Sequence, residues 1–231
     1  MAVAYNPGIV TEGLILCLDA ANRNSYPSTG TAWTDISNTG NNGILKNGPT
    51  YSTLNGGNIN FDGTDDTVDC GPASQIGASL TGLTVEVFLR TSVAGLALIL
   101  ENGNAFTADT FYLAKENATQ FTFLTYGGGG YDRADATVAY QTNTWYHLVG
   151  VWKSNVRNQI YMNGVNVTSH PVGASVRTTL QNGNTNLFIA SRSGTLYNFP
   201  GDIPIVRIYN IALSDQQISQ NFNAMRGRFG I

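Results

Sequence analysis

Apolar and polar side chains alternate with a period of two through most of the chain, and this pattern predicts β-strands. Residues 83–90 place aliphatic side chains on one face and polar or aromatic side chains, including Glu86, on the other. Residues 145–152 alternate in the same way. Asn163 and Gly164 stand between two apolar segments and predict a hairpin, because both residue types tolerate a positive φ.

Two further segments, residues 13–19 and 95–100, are apolar on both faces and predict central strands. Clusters of Gly and Asn separate the predicted strands at short intervals, as turns do. The spacing predicts an all-β fold, a two-sheet antiparallel jelly-roll sandwich. No linker rich in proline or charge divides the chain, so we expect an N-terminal arm over residues 1–12 and one domain over residues 13–231.

One short helix is predicted near the C-terminus. Ser214 and Gln217 have the spacing of a capping box, and Leu213 and Ile218 that of a hydrophobic staple. An apolar stripe follows, formed by Ile218, Phe222 and Met225. Gly227 is expected to end the helix. A single helix with one apolar face must lie against a sheet, so we interpret it as the element that closes the fold.

The composition excludes several classes of function. The 231 residues are 42% apolar and only 12% charged, with a formal net charge of −3. This charge offers no basic surface for nucleic acid. No apolar segment approaches the roughly 20 residues of a membrane-spanning helix, so no membrane insertion is expected. The N-terminus lacks the basic start and long apolar run of a signal peptide, so we expect any exit from the cell to avoid the standard export route.

Two cysteines, Cys17 and Cys70, stand in predicted strands. Buried thiols are the favoured interpretation, and a bridge between them is the alternative. Their spacing is not that of a metal site.

Four segments together carry a family resemblance. They begin at Trp33 (WTDISNTGNNG), Phe61 (FDGTDD), Trp145 (WYH, followed by the Asn-Gly hairpin) and Gly201 (GDIPIVRIYNIALS). In this order they resemble the laminin-G-like, concanavalin A-like jelly rolls, over about residues 13–226. The resemblance implies a lectin-like sandwich.

A narrower likeness concerns the two ends of the chain. Residues 13–37 and 220–231 look like the versions carried by virion proteins of tailed phages, particularly T4-like phages of cyanobacteria. This resemblance implies a protein made in the host cytoplasm and placed on the virion surface, in contact with other virion proteins. Capsid or tail location and homo-oligomerisation stay open. The chain departs from the family at Pro204 and Ile205, where two acidic residues are usual, and Pro204 should lie at a strand start, an edge or a bulge.

Catalysis is not expected from the sequence. Glucanases of this wider fold use a Glu-x-Asp-x-x-Glu strand, because two carboxylates must flank one glycosidic bond. The chain lacks that motif: Glu86 stands alone, and Glu101 and Glu116 lie on other segments. His147 lies in a predicted strand beside aromatic residues, which favours a packing role. We therefore expect no enzyme, with glycoside hydrolase activity as a remote alternative.

Asp62, Asp65 and Asp66 are close together in a predicted turn. Hard oxygen ligands in a tight turn suit Ca²⁺, the one cofactor that the sequence suggests. The alternative is that these carboxylates accept hydrogen bonds from backbone N–H groups, as in Asx turns.

The most unusual segment is a run of four glycines between two tyrosines. Tyr126, Tyr131, Asp132 and Arg133 combine aromatic faces with planar polar groups, the set that binds sugars. Other predicted loops add four residues to the same rim, namely Asn104, Arg192, Tyr197 and Asn198. The alternative is a flexible hairpin or a protein–protein contact.

Taken together, these patterns predict a non-catalytic virion surface component with a lectin-like fold, either a capsid decoration protein or a protein of the tail or fibre. A glycan-binding adhesin that recognises a host surface saccharide is the alternative.

Overall fold

The computed structural model describes residues 8–73, 75–76, 79–103, 110–181 and 185–231. Within these residues there are seventeen strands, one 3₁₀ turn (Leu54–Gly56) and one α-helix, α1 (Asp215–Phe229). In chain order the strands are β1 (Leu14–Asp19), β2 (Ala32–Trp33), β3 (Gly43–Lys46), β4 (Thr50–Ser52), β5 (Asn58–Asp62), β6 (Thr67–Pro72), β7 (Gly82–Thr91), β8 (Ala97–Asn102), β9 (Phe111–Lys115), β10 (Phe121–Gly127), β11 (Gly130–Ala136), β12 (Trp145–Lys153), β13 (Val156–Met162), β14 (Val165–Asn166), β15 (Thr168–Ser169), β16 (Asn186–Ile189) and β17 (Pro200–Tyr209).

The described strands form two antiparallel sheets. The eight-stranded sheet has the order β14-β13-β12-β7-β17-β5-β4, with β1 also paired to β17. The nine-stranded sheet has the order β15-β11-β10-β9-β8-β16-β6-β3-β2. This arrangement confirms the predicted all-β jelly-roll sandwich with a C-terminal helix.

The main core lies between the two sheets, where the period-two pattern places the aliphatic side chains of β7 and the aromatic side chains of β9 and β10. Trp152 and Phe123 are fully buried there. A Cβ atom at Gly150 would overlap the ring of Phe123, so glycine permits the close approach of the sheets at this point. Cys17 and Cys70 are buried free thiols, as the favoured interpretation expects.

The prediction of a central strand over residues 13–19 is wrong in one respect. Among the described strands, β1 pairs only with β17 and therefore lies at an edge. Loop side chains replace the missing neighbour: Asp35 Oδ1 accepts the Cys17 N–H at 2.8 Å, and Asn41 Nδ2 donates to the Ile15 carbonyl at 2.7 Å. Burial alone would raise the pKa of Asp35, but hydrogen bonds from Ser37 and Cys17 outweigh it and lower that pKa.

The helix begins as predicted and ends later than predicted. Ser214 and Gln217 form the capping box. The helix continues through Gly227 and ends at Phe229, with Gly230 as the left-handed cap at φ 69°. Tertiary packing explains the extra turn, because the Phe229 ring stacks on Phe88 with their centroids 4.8 Å apart.

Of the three positions predicted for Pro204, a strand start, an edge or a bulge, the structure shows the last: the pairing of β17 with β7 shifts register between Asp202 and Ile205. In the described part of the chain, no helix is both long enough and apolar enough to span a bilayer.

Candidate functional site

The outer face of the nine-stranded sheet carries a continuous row of side chains. Antiparallel pairing places six residues side by side on neighbouring strands, namely Arg133, Leu124, Tyr112, Glu101, Phe188 and Asp69. Strands lie about 4.8 Å apart, so the row extends over roughly 24 Å. Within it Leu124 and Glu101 are buried, at 4% and 0% exposure, and the other four side chains are partly exposed. The sequence neighbours Phe111 and Leu113 point into the core, so Tyr112 between them faces outwards.

Tyr112 is at the centre of this face. The guanidinium of Arg192 lies over its ring, 5.5 Å from the centroid. Burial, and then the nearby carboxylate of Glu116, raise the pKa of Tyr112, so its hydroxyl is neutral at ordinary pH and can both donate and accept a hydrogen bond. A cavity of about 180 Å³ lies beside Tyr112 and is lined further by Leu96, Leu98, Ala114, Glu116, Arg192 and Tyr197.

Ion pairs hold the charged groups around Tyr112 in place. Arg133 Nη1 lies 3.0 Å from Glu116 Oε1, and Arg133 Nε lies 2.7 Å from Asp135 Oδ1. Burial would lower the pKa of Arg133, but these two carboxylates outweigh it and raise that pKa. Arg192 Nε lies 3.3 Å from Glu101 Oε1. Planar donors and acceptors therefore border the ring in fixed positions.

The glycine-rich segment forms a tight hairpin at one end of this face. β10 and β11 remain paired up to Gly127 and Gly130, and only Gly128 and Gly129 form the turn, with φ of 55° and 78°. The rings of Tyr126 and Tyr131 are cross-strand partners with centroids 6.3 Å apart. Strand pairing therefore continues to the last residue on each side of a two-residue turn.

The structure separates Asp132 from the other predicted ligand-binding residues. Its side chain points to the opposite side of β11 and is fully buried. The carboxylate accepts hydrogen bonds from Arg157 Nε and the Asn158 N–H, both at 2.7 Å. Asp132 therefore joins β11 to β13 of the other sheet and does not belong to the outer face.

The remaining predicted rim residues divide between two places. Tyr197 is 41% exposed and lines the cavity together with Arg192. Asn198 turns away, and its Nδ2 donates to the Thr64 carbonyl in the acidic turn. Asn104 lies outside the described residues.

The acidic turn brings Asp62, Asp65 and Asp66 together, with one carboxylate oxygen of each within 4.8 Å of the others. Two of these carboxylates also accept backbone hydrogen bonds: Asp62 Oδ1 from the Thr64 N–H at 2.7 Å, and Asp66 Oδ2 from the Asp62 N–H at 2.9 Å. Burial and the neighbouring carboxylates raise the pKa of Asp66. The geometry fits both the Asx-turn interpretation and a cation, so calcium stays a prediction.

A second group of ionisable residues lies buried under α1 on the eight-stranded sheet. Glu86 accepts hydrogen bonds from Arg207 at 2.8 Å and from Asn221 of the helix at 2.6 Å. Although burial would raise the pKa of Glu86, Arg207 and His147 outweigh it and lower the pKa to about 2. His147 is packed between the rings of Phe88 and Phe222, with centroids 4.6 and 5.6 Å away, as the sequence predicts. This cluster stabilises the docked helix.

A larger cavity, of about 470 Å³, lies where β12 and β13 meet the start of α1. Its lining combines aliphatic side chains such as Val151 and Leu213 with Lys153 and Arg157. None of the described residues that line it is aromatic, so it lacks the ring face that sugars need.

Sequence reasoning missed the central role of Tyr112 and treated Glu101 and Glu116 only as unpaired acids. The three residues lie on or beside β8 and β9, and the pairing of Glu101 with Tyr112 places all three on one face. Tyr112 stands between Phe111 and Leu113, which suggests that it faces outwards, but Ala114 and Lys115 break the alternation, and strand pairing decides what lies beside Tyr112.

Comparison with known proteins agrees with this fold. A family model, Laminin_G_3, described as the concanavalin A-like lectin/glucanases superfamily, matches residues 62–219. No curated protein matches the sequence significantly.

Three solved structures resemble the chain. A Trypanosoma rangeli sialidase in complex with the inhibitor DANA superposes with a TM-score of 0.65 at 14% identity, over 95% of this chain and 35% of the sialidase. The binding domain of Paraclostridial Mosquitocidal Protein 1 gives 0.71 at 12% identity, over 93% of this chain and 52% of that one. The binding domain of botulinum neurotoxin DC in complex with SialylT gives 0.64 at 13% identity, over 93% and 52%. The chain thus spans about a third to a half of the structures that it resembles.

These structures correct one expectation. The prediction that the chain is not an enzyme is contradicted, because the structures with this fold include sialidases as well as binding domains. The absence of a Glu-x-Asp-x-x-Glu strand therefore does not decide whether the chain is an enzyme. The matches do not bear on the predicted virion role.

Proposed function

The chain belongs to the concanavalin A-like lectin/glucanases superfamily, and from this premise we propose that the outer face of its nine-stranded sheet binds a saccharide. The observation that supports this proposal most directly is the row of side chains centred on Tyr112, which lies on a sheet face that no described α-helix covers.

The chemistry of the row suits a sugar. A tyrosine ring offers an apolar face to the C–H groups of a pyranose. Arg133 and Glu116, which form an ion pair near this ring, offer planar groups for hydroxyls. Because their ion pair already holds both side chains, binding costs little conformational entropy. The similar sialidase and the toxin domain in complex with SialylT support this class of ligand.

The face is long enough for more than one sugar unit. Tyr126 and Thr122 lie four residues apart on β10, and Thr122 pairs with Ala114 of the cavity wall. At 3.3 Å per residue, the tyrosine pair at the hairpin lies roughly 7 Å along the strand from the Tyr112 side of the cavity and roughly 13 Å from its Ala114 side. We therefore expect two contact points for one saccharide, at the hairpin and at the cavity.

A glycan array followed by calorimetry tests the proposal. The purified chain should bind at least one class of saccharide, and Tyr112→Ala should weaken that binding at least tenfold because the central ring is lost. The double variant Tyr126→Ala/Tyr131→Ala should weaken binding of longer saccharides more than that of short ones.

Val165→Ala is the control, because Val165 is 62% exposed on β14 of the other sheet. It should leave binding unchanged. An array without any bound saccharide, or full binding by a folded Tyr112→Ala protein, would contradict the proposed function.

The same titrations in EDTA test the calcium prediction for Asp62, Asp65 and Asp66. We expect EDTA to lower affinity or melting temperature and added Ca²⁺ to restore it. Identical behaviour with and without EDTA would leave the Asx-turn interpretation as the correct one.

We propose further that this domain is carried on a phage particle, where it contacts other virion proteins and meets a host surface glycan. The support is the resemblance of residues 13–37 and 220–231 to virion proteins of T4-like phages of cyanobacteria. Mass spectrometry of purified particles of a phage that encodes the chain should find it in stoichiometric amount. Its absence from particles would contradict the proposed virion location. The proposal that the chain binds a saccharide would not be affected.

A further inference from the structure

We infer that the cavity beside Tyr112 selects a neutral sugar that carries an acetamido group, that is, an N-acetylhexosamine. This inference rests on the proposed saccharide-binding function and specifies the ligand. It is argued from the cavity wall, its polar groups, its charge and its size.

Five of the seven described residues that line the cavity are aliphatic or aromatic. Leu96, Leu98 and Ala114 line it together with the rings of Tyr112 and Tyr197. A hydroxyl group placed against such a wall loses its hydrogen bonds to water without replacement, which is unfavourable. A methyl group placed there gains burial. An unsubstituted hexose can bring its ring C–H groups to this wall only with hydroxyl groups beside them, whereas an acetamido group ends in a methyl that has no hydroxyl attached.

The polar groups of the cavity match the rest of the acetamido group. Glu116 and Arg192 both line the cavity; a carboxylate accepts hydrogen bonds, as an amide N–H requires, and a guanidinium donates them, as an amide carbonyl requires. Both side chains are already oriented by ion pairs, with Arg133 at 3.0 Å and with Glu101 at 3.3 Å. A substituent with a methyl, a donor and an acceptor therefore satisfies the whole lining.

The charge around the cavity disfavours acidic sugars. The two cations that act on Tyr112 are Arg133 and Arg192, and both are paired with carboxylates. Among the described residues, three carboxylates pair with these two cations: Glu101, Glu116 and Asp135. An anionic saccharide would meet a local excess of negative charge, so a neutral ligand fits best.

The size limits what enters. At about 180 Å³ the cavity is smaller than the 300–1,000 Å³ of sites that enclose a drug-sized molecule. It therefore takes one substituent or one terminal sugar, while the remainder of the saccharide lies along the face towards Tyr126.

Matched ligands test this inference directly. Calorimetry should give at least tenfold tighter binding for β-linked oligomers of N-acetylglucosamine than for the same oligomers of glucose, since one methyl group in an apolar pocket contributes about that factor. In saturation-transfer difference NMR, the acetamido methyl protons should receive the strongest saturation. Oligosaccharides ending in a carboxylated sugar should bind no more tightly than neutral ones.

The variant Leu96→Asp should reduce the preference for the acetamido sugar to nearly one, because it places a charge on the apolar wall. Leu54→Asp is the matched control: Leu54 is 46% exposed and Leu96 is 47% exposed, and Leu54 lies in the 3₁₀ turn away from the cavity. It should keep the preference.

Equal binding of both oligomers, tightest binding of an acidic saccharide, or an unchanged preference in Leu96→Asp would overturn the inference. If glucose oligomers bind as tightly as acetamido oligomers and Tyr112→Ala abolishes both, the acetamido assignment is wrong and the proposed function stands. If no saccharide binds, both are wrong.

Discussion

The two outer faces of the sandwich both carry glutamate–arginine ion pairs, but the pairs differ in what covers them. On the eight-stranded sheet, Glu86, Arg207 and His147 are buried beneath α1. On the nine-stranded sheet, Glu116 and Arg133 form a similar pair that stays partly exposed. The Glu86–Arg207 pair is covered by α1 and stabilises the fold, whereas the Glu116–Arg133 pair stays partly exposed, with Glu116 in the lining of the cavity beside Tyr112.

The difference shows that an ion pair on a sheet does not by itself indicate a function. What covers the pair decides its role. The N–H of Val10 and the side chain of Glu86 both bond to Asn221 of α1, at 2.8 and 2.6 Å, so the helix and the N-terminal segment share one buried network. On the other face, the Glu116–Arg133 pair keeps 29% and 21% of its side chains exposed, so solvent reaches it.

The largest expected effect is on the covered face. Arg207→Met leaves the Glu86 carboxylate buried without its cation and should cost about 3–5 kcal/mol in the free energy of unfolding. Urea denaturation followed by circular dichroism measures this loss. Arg133→Met, which breaks the partly exposed pairs of the open face, should cost about 1 kcal/mol. Equal losses of unfolding free energy in the two variants would contradict the proposed difference between the two faces.

The next effect concerns the contact between helix and sheet. Phe222 is 8% exposed and stacks on His147. Phe222→Ala should destabilise the protein by about 3 kcal/mol, because a buried ring is replaced by a void. The midpoint of urea unfolding reports the change. A Phe222→Ala protein as stable as the parent would mean that α1 does not dock.

Lower pH should reduce the stability of the folded protein through Glu86, which lies on the sheet face that α1 covers. The pKa of Glu86 falls from its ordinary value of 4.5 to about 2 on folding. The ionised carboxylate therefore stabilises the folded state fully above pH 4.5, and this contribution is lost as the pH falls towards about 2. Unfolding free energies measured across this range should decline. In the variant Glu86→Gln the unfolding free energy should decline less steeply with falling pH. The same decline in both proteins would show that Glu86 does not cause it.

The smallest effect on stability is expected at the open face. Tyr131 is 39% exposed at the hairpin. Tyr131→Ala should change the free energy of unfolding by no more than about 0.5 kcal/mol, as for most surface substitutions. Thermal denaturation alongside Phe222→Ala makes the comparison within one experiment. A loss as large as that of Phe222→Ala would show that the hairpin face is part of the core and not a binding surface.

Local patterns predicted much of the fold. The alternation in residues 83–90 predicted the two faces of β7, and Asn163-Gly164 predicted the turn between β13 and β14. The capping box at Ser214 set the start of α1 correctly, because a cap depends on residues within one turn. The end of α1 was predicted too early, since the contact of Phe229 with Phe88 lies far away in sequence.

The candidate site was only partly predictable. The tyrosine pair of the hairpin and Tyr197 were identified because their aromatic and glycine-rich surroundings are unusual in sequence. Asp132 was placed on the wrong side of β11, and Tyr112 was missed. A one-residue change in face or register moves a side chain from solvent to core, and the partner strand decides which occurs.

By itself the sequence determined that the chain forms a two-sheet sandwich with one capped helix, because period-two alternation, turn residues and caps act over a few neighbouring residues. Only the tertiary structure decided which sheet face the helix covers and which face keeps Tyr112, Glu116 and Arg192 around a cavity. These arrangements depend on strand order and register, which bring together residues far apart in the chain, and no local pattern encodes them.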